Sequence, residues 1–526
     1  MSHAASPPAG HDCGVLLHPT ALPGTPVCGG FGAAARAWIS LLGRERVGVW
    51  QLLPLAPPDG TGSPYSSPSG SALNPWLIDA EDLVAEGWLT PADRDGLPGA
   101  TAGADRLDPR LASERATALG VALRRRWPAQ PQAWQQAFRH WRRDQAAWLR
   151  DHCRFMVLRR LHQGRPWWEW PRPLARHQSR ALRILERNRA DELLEEALLQ
   201  WCCERQWRLL QRQATAAGVR ILGDLPFYVA HDSADVWAHP GLFSLQHDGS
   251  LVAQSGVPPD YFSPTGQLWG TPVYRWWRHR LGGFRWWLQR LDRQLSLHDL
   301  VRLDHFRALQ AYWRVPGQAD TAQHGAWQPS PGWALLRGLQ RCCKRRGTLL
   351  ADGRLPLIAE DLGVITPEVE ALRDRFALPG MKILQFAFDG NTANPYLPAN
   401  FKGERWVVYT GTHDNATTLG WWQGLDGAAR QQVEAALGAP VTAPAWQLLE
   451  LGLASAAELV VVPLQDLLEL GDEARFNVPG TSEGNWCWRL QRPIAALAGP
   501  LYGYGAMASR WGRAPLGSSG VAAAGG

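Results

Sequence analysis

Eight short apolar runs, rich in β-branched and aromatic residues, recur along the chain, and segments with helical periodicity separate most of them. Near-continuous apolar strands are typical of a parallel sheet that helices cover on both faces. Eight such strands alternating with helices are the pattern of a (β/α)8 barrel. The sequence therefore predicts an α/β fold, a TIM barrel with inserted, mostly helical subdomains. The eight runs lie at residues 14–20, 47–55, 219–230, 300–306, 356–363, 382–388, 407–414 and 458–466.

The interval between the second and third runs, from Leu55 to Val219, is too long to be a loop and must hold structure of its own. Much of it, from Ala112 to Ala217, places Arg, Leu, Trp and Gln at helical spacing. We therefore predict that a mostly helical subdomain is inserted between the second and third strands of the barrel.

These patterns divide the chain into three parts. The predicted bounds are 14–504 for the catalytic barrel domain, 76–217 for the inserted helical subdomain, and 505–526 for a C-terminal segment. The last residues of that segment, APLGSSGVAAAGG, are of low complexity, and we expect them to be disordered.

The charge of the chain raises the question of nucleic-acid binding, because its formal net charge is +6. Almost all of its 54 basic residues are arginines, and they alternate with Gln, Trp and acidic residues at helical spacing. This mixture is typical of solvated helix faces rather than of a phosphate-binding stripe. We therefore predict that nucleic acid is not a partner.

The eight cysteines form no CxxC pair and have no metal-ligand spacing with histidine. We therefore expect free thiols in a reducing compartment and no metal site. No apolar run is long enough to cross a bilayer, and the N-terminal residues lack the basic and apolar regions of a secretory signal. The expected protein is a soluble cytoplasmic protein of the size of an enzyme, without a membrane partner.

Polar side chains stand near the ends of five of the eight runs, where the chemistry of a barrel of this type takes place. In VRLDHF, Arg302 and Asp304 lie two residues apart on one face of the strand, where the guanidinium would help to keep Asp304 ionised. Several carboxylates at one mouth repel each other unless they are arranged for function. The polar residues in question are Asp224, Arg302 with Asp304, Glu360 with Asp361, His413 with Asp414, and Gln465 with Asp466.

Glycosidases use a pair of carboxyl groups for catalysis. The distance between the two groups determines whether the configuration at the anomeric carbon is retained or inverted. The sequence alone does not supply that separation. Sugar-binding enzymes also use aromatic platforms, and the chain has 29 tryptophans. Because tryptophan more often packs in a core than against a sugar, this number is a weak indication by itself.

Long motifs in the chain resemble the 4-alpha-glucanotransferases, also called amylomaltases or disproportionating enzymes, of glycoside hydrolase family 77. The resemblance follows the family's order over nearly the whole chain. The motifs that carry it are GVLLHPTALPG, WQLLPLAPP, SPY, GDLPFYVAHDSADVWAHP, GVPPDYFSPTGQLWG, VRLDHFRAL, IAEDLG, PGMKILQFAF, NPYLP, YTGTHDN, PLQDLLELGDEARFNVPGT and GNWCWRL.

The resemblance implies transfer of α-1,4-glucan segments, from maltooligosaccharides, glycogen or starch, without a cofactor or a metal. It implies that Asp304 is the nucleophile, Glu360 the general acid/base and Asp414 the acid that stabilises the transition state. Alternation along a strand agrees with Glu360 rather than Asp361 as the acid. The positions that match glucan-contacting residues are Ser63, Tyr65, Asp224, Trp269, Arg302, His413 and Asn477.

Two alternatives to transfer use the same residues. A hydrolase of related barrel type would use the three carboxylates with water as the acceptor, and a non-catalytic glucan-binding protein would keep the barrel without turnover. The chain also departs from the family's usual residues beside the motifs, at Ala416, Thr271, Phe476 and around Cys28.

Overall fold

The structure is a computed structural model that describes residues 11–100, 105–259, 263–481 and 483–513. Within these ranges the chain forms twelve β-strands. They are β1 Asp12–Leu16, β2 Val49–Gln51, β3 Arg220–Leu225, β4 Ala253–Val257, β5 Gln267–Pro272, β6 Leu300–Leu303, β7 Ala311–Pro316, β8 Ala326–Pro329, β9 Leu357–Ala359, β10 Gly380–Ile383, β11 Trp406–Tyr409 and β12 Leu459–Pro463.

The same ranges contain nineteen α-helices, together with short 3-10 turns. They are α1 Ala33–Arg44, α2 Ala80–Ala85, α3 Pro91–Asp95, α4 Pro109–Arg126, α5 Gln132–Asp144, α6 Ala146–Leu161, α7 Arg172–Ala175, α8 Ser179–Asn188, α9 Ala190–Ala216, α10 Ala234–Ala238, α11 Trp276–Leu281, α12 Arg285–Leu297, α13 Gly332–Arg346, α14 Pro367–Arg375, α15 Thr418–Gly424, α16 Gly427–Leu437, α17 Pro444–Leu453, α18 Leu464–Leu467 and α19 Ala498–Arg510.

Eight strands form one parallel sheet in the order β10-β11-β12-β1-β2-β3-β6-β9. The amide of Ala359, at the end of β9, donates a hydrogen bond of 2.8 Å to the carbonyl of Pro379, directly before β10, and so closes the sheet into a barrel. Each of the eight apolar runs overlaps one of these strands. The predicted (β/α)8 barrel is therefore confirmed.

The first strand begins two residues earlier than its apolar run. Asp12 and Cys13 pair with Leu459 and Val460 on β12, so the ladder includes a buried carboxylate. Asp12 is tolerated there because Arg220 donates a hydrogen bond of 3.0 Å to its Oδ2. Hydrophobicity alone does not reveal this start, since the satisfied charge replaces an apolar side chain.

Helices α2 to α9 occupy the interval between β2 and β3. Tryptophans form much of their packing: the rings of Trp88 and Trp134 stack with centroids 4.5 Å apart, and Trp201 meets Trp88 edge-on at 5.1 Å. Many of the chain's tryptophans are thus packing residues. The domain bounds given above stay predictions, and residues 514–526, for which disorder was expected, lie outside the described residues.

A second sheet is antiparallel, with the strand order β5-β4-β7-β8. Its strands come from two separate connections, because β4 and β5 precede barrel strand β6 and β7 and β8 follow it. Trp269 on β5 makes an edge-on contact, at 4.8 Å between ring centroids, with His305, which follows the end of β6. The second sheet therefore reaches the carboxyl end of the barrel. None of the helices in the described part of the chain has the length and apolar character needed to cross a membrane.

Candidate active site

Arg302 joins two carboxylates at the carboxyl end of the barrel. The register of β3 and β6 places Asp224 opposite Arg302, whose Nη1 donates a hydrogen bond of 2.5 Å to Oδ2 of Asp224. Its Nη2 donates one of 2.8 Å to Oδ1 of Asp304. Burial raises the pKa of Asp224 against the opposing pull of Arg302. Arg302 and Asp224 are buried, so the bond between them is shielded from water, whereas the Asp304 side chain is 29% exposed.

Glu360 stands at the end of the neighbouring strand, β9. Its Oε2 accepts a hydrogen bond of 2.7 Å from the backbone N–H of His305, and its Oε1 accepts one of 2.9 Å from the N–H of Leu362. Burial, followed by the negative charge of Asp304, raises the pKa of Glu360 to about 7. A carboxyl group with this pKa can both give and take a proton near neutral pH.

Asp361 has a different set of partners from Glu360. Its Oδ2 accepts a hydrogen bond of 2.5 Å from Arg373, and its Oδ1 accepts one of 2.8 Å from the N–H of Met381. These contacts pair Asp361 with the structure around β10 and α14. The arrangement agrees with the choice of Glu360 over Asp361 as the proton donor.

The connection after β11 presents His413 and Asp414. The amide of Asn477 donates a hydrogen bond of 2.6 Å to Oδ1 of Asp414, and Nε2 of His413 lies 3.3 Å from its Oδ2. Arg475 donates one of 2.7 Å to the backbone carbonyl of Asp414. The Asp414 side chain is 44% exposed, so it is held in position and still open to a ligand.

Tyr65 connects the Asp224 group with the His413 group. Its hydroxyl donates a hydrogen bond of 2.6 Å to Oδ2 of Asp224, and its ring stacks on His413 at 5.3 Å between centroids. Ser63 is two residues away, and its Oγ accepts a hydrogen bond of 3.3 Å from the N–H of Tyr65. The loop after β2 therefore supplies an aromatic residue to the wall of the mouth.

The structure brings the ten predicted site residues into one connected group. Eight of them are linked directly by hydrogen bonds, by the ion pair between His413 and Asp414, and by the ring contact between Tyr65 and His413. Glu360 and Trp269 join the group through His305. The backbone N–H of His305 binds the Glu360 side chain, and the ring of His305 contacts the ring of Trp269. The eight directly linked residues are Ser63, Tyr65, Asp224, Arg302, Asp304, His413, Asp414 and Asn477.

Sequence reasoning missed three residues of this group. His305 has a left-handed backbone, with φ 53°, and its N–H donates the hydrogen bond to Glu360. Arg475 bonds the carbonyls of both Asp414 and Asn477, and Trp486 packs on Tyr65 at 5.8 Å. Two of these residues could have been found from their positions in the sequence. His305 directly follows Asp304, and Arg475 lies two residues before Asn477.

Of the positions predicted above to differ from the family's usual residues, Ala416, Thr271 and Phe476 have the following contacts. The carbonyl of Ala416 accepts a hydrogen bond of 3.1 Å from Gln385. Thr271 pairs its hydroxyl with Ser255 at 2.5 Å, and Phe476 packs its ring on Trp486 at 6.0 Å. Each of the three residues thus contacts a neighbouring side chain near the site.

The group has the parts of a nucleophile and an acid/base pair. The Asp304 side chain lies beside the guanidinium of Arg302, and Glu360 on the adjacent strand end has a pKa raised to about 7. Within the described ranges, no three or more His, Cys, Asp or Glu side chains cluster so that they could hold a metal ion. The chemistry that these residues can perform is proton transfer combined with nucleophilic displacement.

Comparisons with known proteins agree with this chemistry. The family model described as 4-alpha-glucanotransferase, glycoside hydrolase family 77, matches residues 17–495. A 4-alpha-glucanotransferase of Thermus thermophilus is 44% identical over 506 residues, covering 91% of this chain and 94% of the relative. One of Synechocystis is 43% identical over 483 residues, covering 90% and 93%.

Solved structures of two amylomaltases are similar to this chain in fold. The amylomaltase of Streptococcus agalactiae, in complex with acarbose, has a TM-score of 0.90 at 30% identity and covers 96% of this chain and 100% of its own. The amylomaltase of Corynebacterium glutamicum, with a TM-score of 0.77 at 20% identity, shares the fold over 95% of this chain and 75% of its own. The chain therefore belongs to the 4-alpha-glucanotransferases of glycoside hydrolase family 77.

Proposed function

We propose that the chain moves α-1,4-glucan segments between glucans by a retaining double displacement, with Asp304 as nucleophile, Glu360 as acid/base and Asp414 as the stabilising acid. The observation that carries the proposal is the hydrogen bond from the His305 N–H to Glu360. It ties the group with a pKa of about 7 to the residue that follows Asp304. Acid and nucleophile are thereby held at adjoining strand ends.

In the first step the protonated Glu360 gives its proton to the glycosidic oxygen of the donor, while Asp304 attacks the anomeric carbon. The carbon–oxygen bond breaks, and the segment on the reducing side leaves as an alcohol. A covalent ester between Asp304 and the anomeric carbon remains. Arg302 holds the Asp304 side chain in place for this attack because it donates a hydrogen bond of 2.8 Å to Oδ1.

In the second step the 4-hydroxyl of an acceptor glucan or glucose attacks the same carbon. Glu360, now deprotonated, takes the hydroxyl proton, the ester bond breaks, and Asp304 leaves as a carboxylate. Two inversions restore the α-configuration. The electrons and protons balance within the two residues, so the steps require neither a metal nor an organic cofactor.

The remaining residues bind and orient the glucan in this proposal. Asp414 and His413 face the sugar at the cleavage point. The negative charge of Asp414 stabilises the positive charge that develops on the sugar in the transition state. Tyr65 and Trp269 supply aromatic faces, and Trp269 is 37% exposed. The other contacts assigned to the glucan are those of Ser63, Asp224, Arg302 and Asn477.

The substrate class is supported by the relative whose structure is similar to this chain. The amylomaltase of Streptococcus agalactiae was solved in complex with acarbose. We infer that maltooligosaccharides bind at the corresponding mouth here and that glycogen or starch can serve as the donor polymer. The eight free cysteines support a reducing, cytoplasmic location.

The test is incubation of the purified protein with maltotriose, with the products separated by chain length and the reducing ends counted. Transfer produces glucose together with longer maltodextrins at an almost constant number of reducing ends, because each broken bond is replaced. A number of reducing ends that rises with every turnover would instead assign hydrolysis. Absence of any product from a protein that still binds maltotriose would assign binding without catalysis.

A further inference from the structure

The loop that presents His413 and Asp414 has no regular structure of its own. It begins at Thr410, directly after β11, and ends where α15 begins at Thr418. A stabilising carboxylate must be held within about 0.5 Å of its productive position to be effective. The contacts that hold this loop therefore bear on the proposed reaction.

Asp466 binds both ends of the loop with one carboxylate. It lies in α18, just past the end of β12, and is 2% exposed. Its Oδ2 accepts hydrogen bonds of 2.6 Å from the hydroxyls of Thr410 and Thr418, and its Oδ1 accepts one of 2.7 Å from the N–H of Thr418. Hydrogen bonds to a buried carboxylate are charge-assisted and short, as these are.

Other contacts support single points between these ends. Asp472 accepts a hydrogen bond of 2.9 Å from the N–H of Thr417, and the side chain of Asn415 accepts one of 2.9 Å from the N–H of Thr412. Gln385 also contacts both ends, through its N–H to the carbonyl of Thr410 at 3.3 Å and through its side-chain amide to the hydroxyl of Thr418 at 3.3 Å. Asp466 joins the two ends by shorter bonds, because its carboxyl group accepts from both threonine hydroxyls at 2.6 Å. It does so without a hydrogen bond to the residues that face the mouth.

We propose that Asp466 is a positioning residue of the transfer reaction, acting through Thr410 and Thr418 to set where His413 and Asp414 stand relative to Asp304. The inference rests on the function proposed above. Thr410 is 1% exposed and Thr418 is fully buried. Without the carboxylate, their hydroxyls and one N–H would lose their acceptor in a place that water does not reach. A shift of the loop that satisfies them displaces Asp414 from the position in which Asn477 and Arg475 hold it.

The test compares Asp466→Asn with the pair Thr410→Val and Thr418→Val, which remove one hydroxyl each at nearly constant shape. Transfer from maltotriose supplies kcat and KM, and thermal unfolding supplies the melting temperature. We expect kcat to fall about tenfold or more in each variant with KM changed by less than about threefold, since the loop acts mainly on the transition state. Thr410→Ser and Thr418→Ser retain the hydroxyl and should restore most of kcat.

Asp12→Asn is the matched control. Asp12 is also a buried, hydrogen-bonded carboxylate of the barrel, 1% exposed, but it lies at the opposite, amino-terminal end of β1. It should lower the melting temperature without lowering kcat. A kcat within about twofold of wild type in Asp466→Asn and both valine variants would overturn the proposal, as would an equal loss of kcat in Asp12→Asn.

If Asp466→Asn does not fold, the threonine series decides alone, with loss in the valine variants and recovery in the serine variants as the supporting result. A wild-type protein that forms no longer maltodextrins would refute the proposed function and this inference with it. A wild-type protein that transfers while all Asp466 and threonine variants match it would refute only the positioning role.

Discussion

The backbone N–H of His305 donates a hydrogen bond of 2.7 Å to Oε2 of Glu360. His305 directly follows Asp304, so the end of β6 and the end of β9 are tied at the point where the proposed nucleophile and acid meet. His305 itself has a left-handed backbone conformation, which is uncommon for a residue other than glycine. The contact couples the positions of the two carboxylates and supports the predictions that follow.

Glu360→Gln and Asp304→Ala should each remove nearly all transfer, by about 100-fold or more, while the protein remains folded. Glutamine cannot give a proton to the leaving oxygen, and alanine cannot form the ester. An α-maltosyl fluoride donor needs no protonated leaving group, so it should restore formation of the ester in Glu360→Gln and not in Asp304→Ala. The measurement is fluoride release, and equal rates in the two variants would contradict the assigned roles.

The pH dependence should report the raised pKa of Glu360. Burial and Asp304 bring this pKa to about 7, and the first step needs the protonated form. We therefore expect kcat/KM for maltotriose to fall as the pH rises through about 7. A profile that stays level to pH 9 would show that Glu360 is not the acid.

The same shift predicts a pH effect on stability. The folded state binds the Glu360 proton more tightly than the unfolded state does. The contribution of this proton to the free energy of unfolding is therefore complete below about pH 4.5 and is lost as the pH rises to about 7. Wild type should therefore lose unfolding free energy relative to Glu360→Gln over that window, by an amount on the order of 1–3 kcal/mol. Urea unfolding of both proteins at pH 4.5 and 8 measures the difference.

Arg302→Lys should lower kcat about 100-fold or more, because a single ammonium cannot reproduce the two-pronged contact with Asp224 and Asp304. Arg293→Lys is the control. Arg293 is also buried and pairs at 2.9 Å with Glu204, on helices α12 and α9. It should affect the melting temperature and leave kcat within about threefold, so a comparable loss in both variants would show that Arg302 acts only on stability.

Asp414→Asn should lower kcat by about 100-fold or more, because the amide keeps a hydrogen-bonding group but loses the charge that opposes the developing cation. The contact with Asn477 at 2.6 Å holds the side chain in place, so the effect should fall on kcat more than on KM. Steady-state kinetics with maltotriose measure both constants. A loss of less than about fivefold would mean that Asp414 is structural.

Trp269→Ala should lower transfer more than hydrolysis. Its ring is 37% exposed beside His305 and is our candidate for holding the acceptor, whose 4-hydroxyl must compete with water. Trp277→Ala, at a 58% exposed tryptophan on α11, is the control and should leave the ratio unchanged. Counting glucose, longer maltodextrins and reducing ends gives the ratio of transfer to hydrolysis, and a constant ratio in Trp269→Ala would exclude an acceptor role.

The barrel was predictable because its signal is local. Strands buried on both faces need continuous apolar residues, and the strand Leu459–Pro463, for example, is buried throughout. The second sheet was not predicted, because a strand that is not buried on both faces need not contain a continuous apolar run. Strand β5 is mostly exposed or half-buried along its length, so it has no apolar run to find.

The amino-acid sequence by itself determined the eight barrel strands and the placement of Asp304, Glu360 and Asp414 after three of them, since all parallel strands of a barrel end at one mouth. Tertiary structure alone decided which groups meet there. Tyr65 reaches Asp224 across 159 positions of the chain, and Arg302 joins two carboxylates from neighbouring strands. Such pairs depend on strand register and barrel closure, which bring distant positions within hydrogen-bonding distance and leave no periodic pattern in the residues between them.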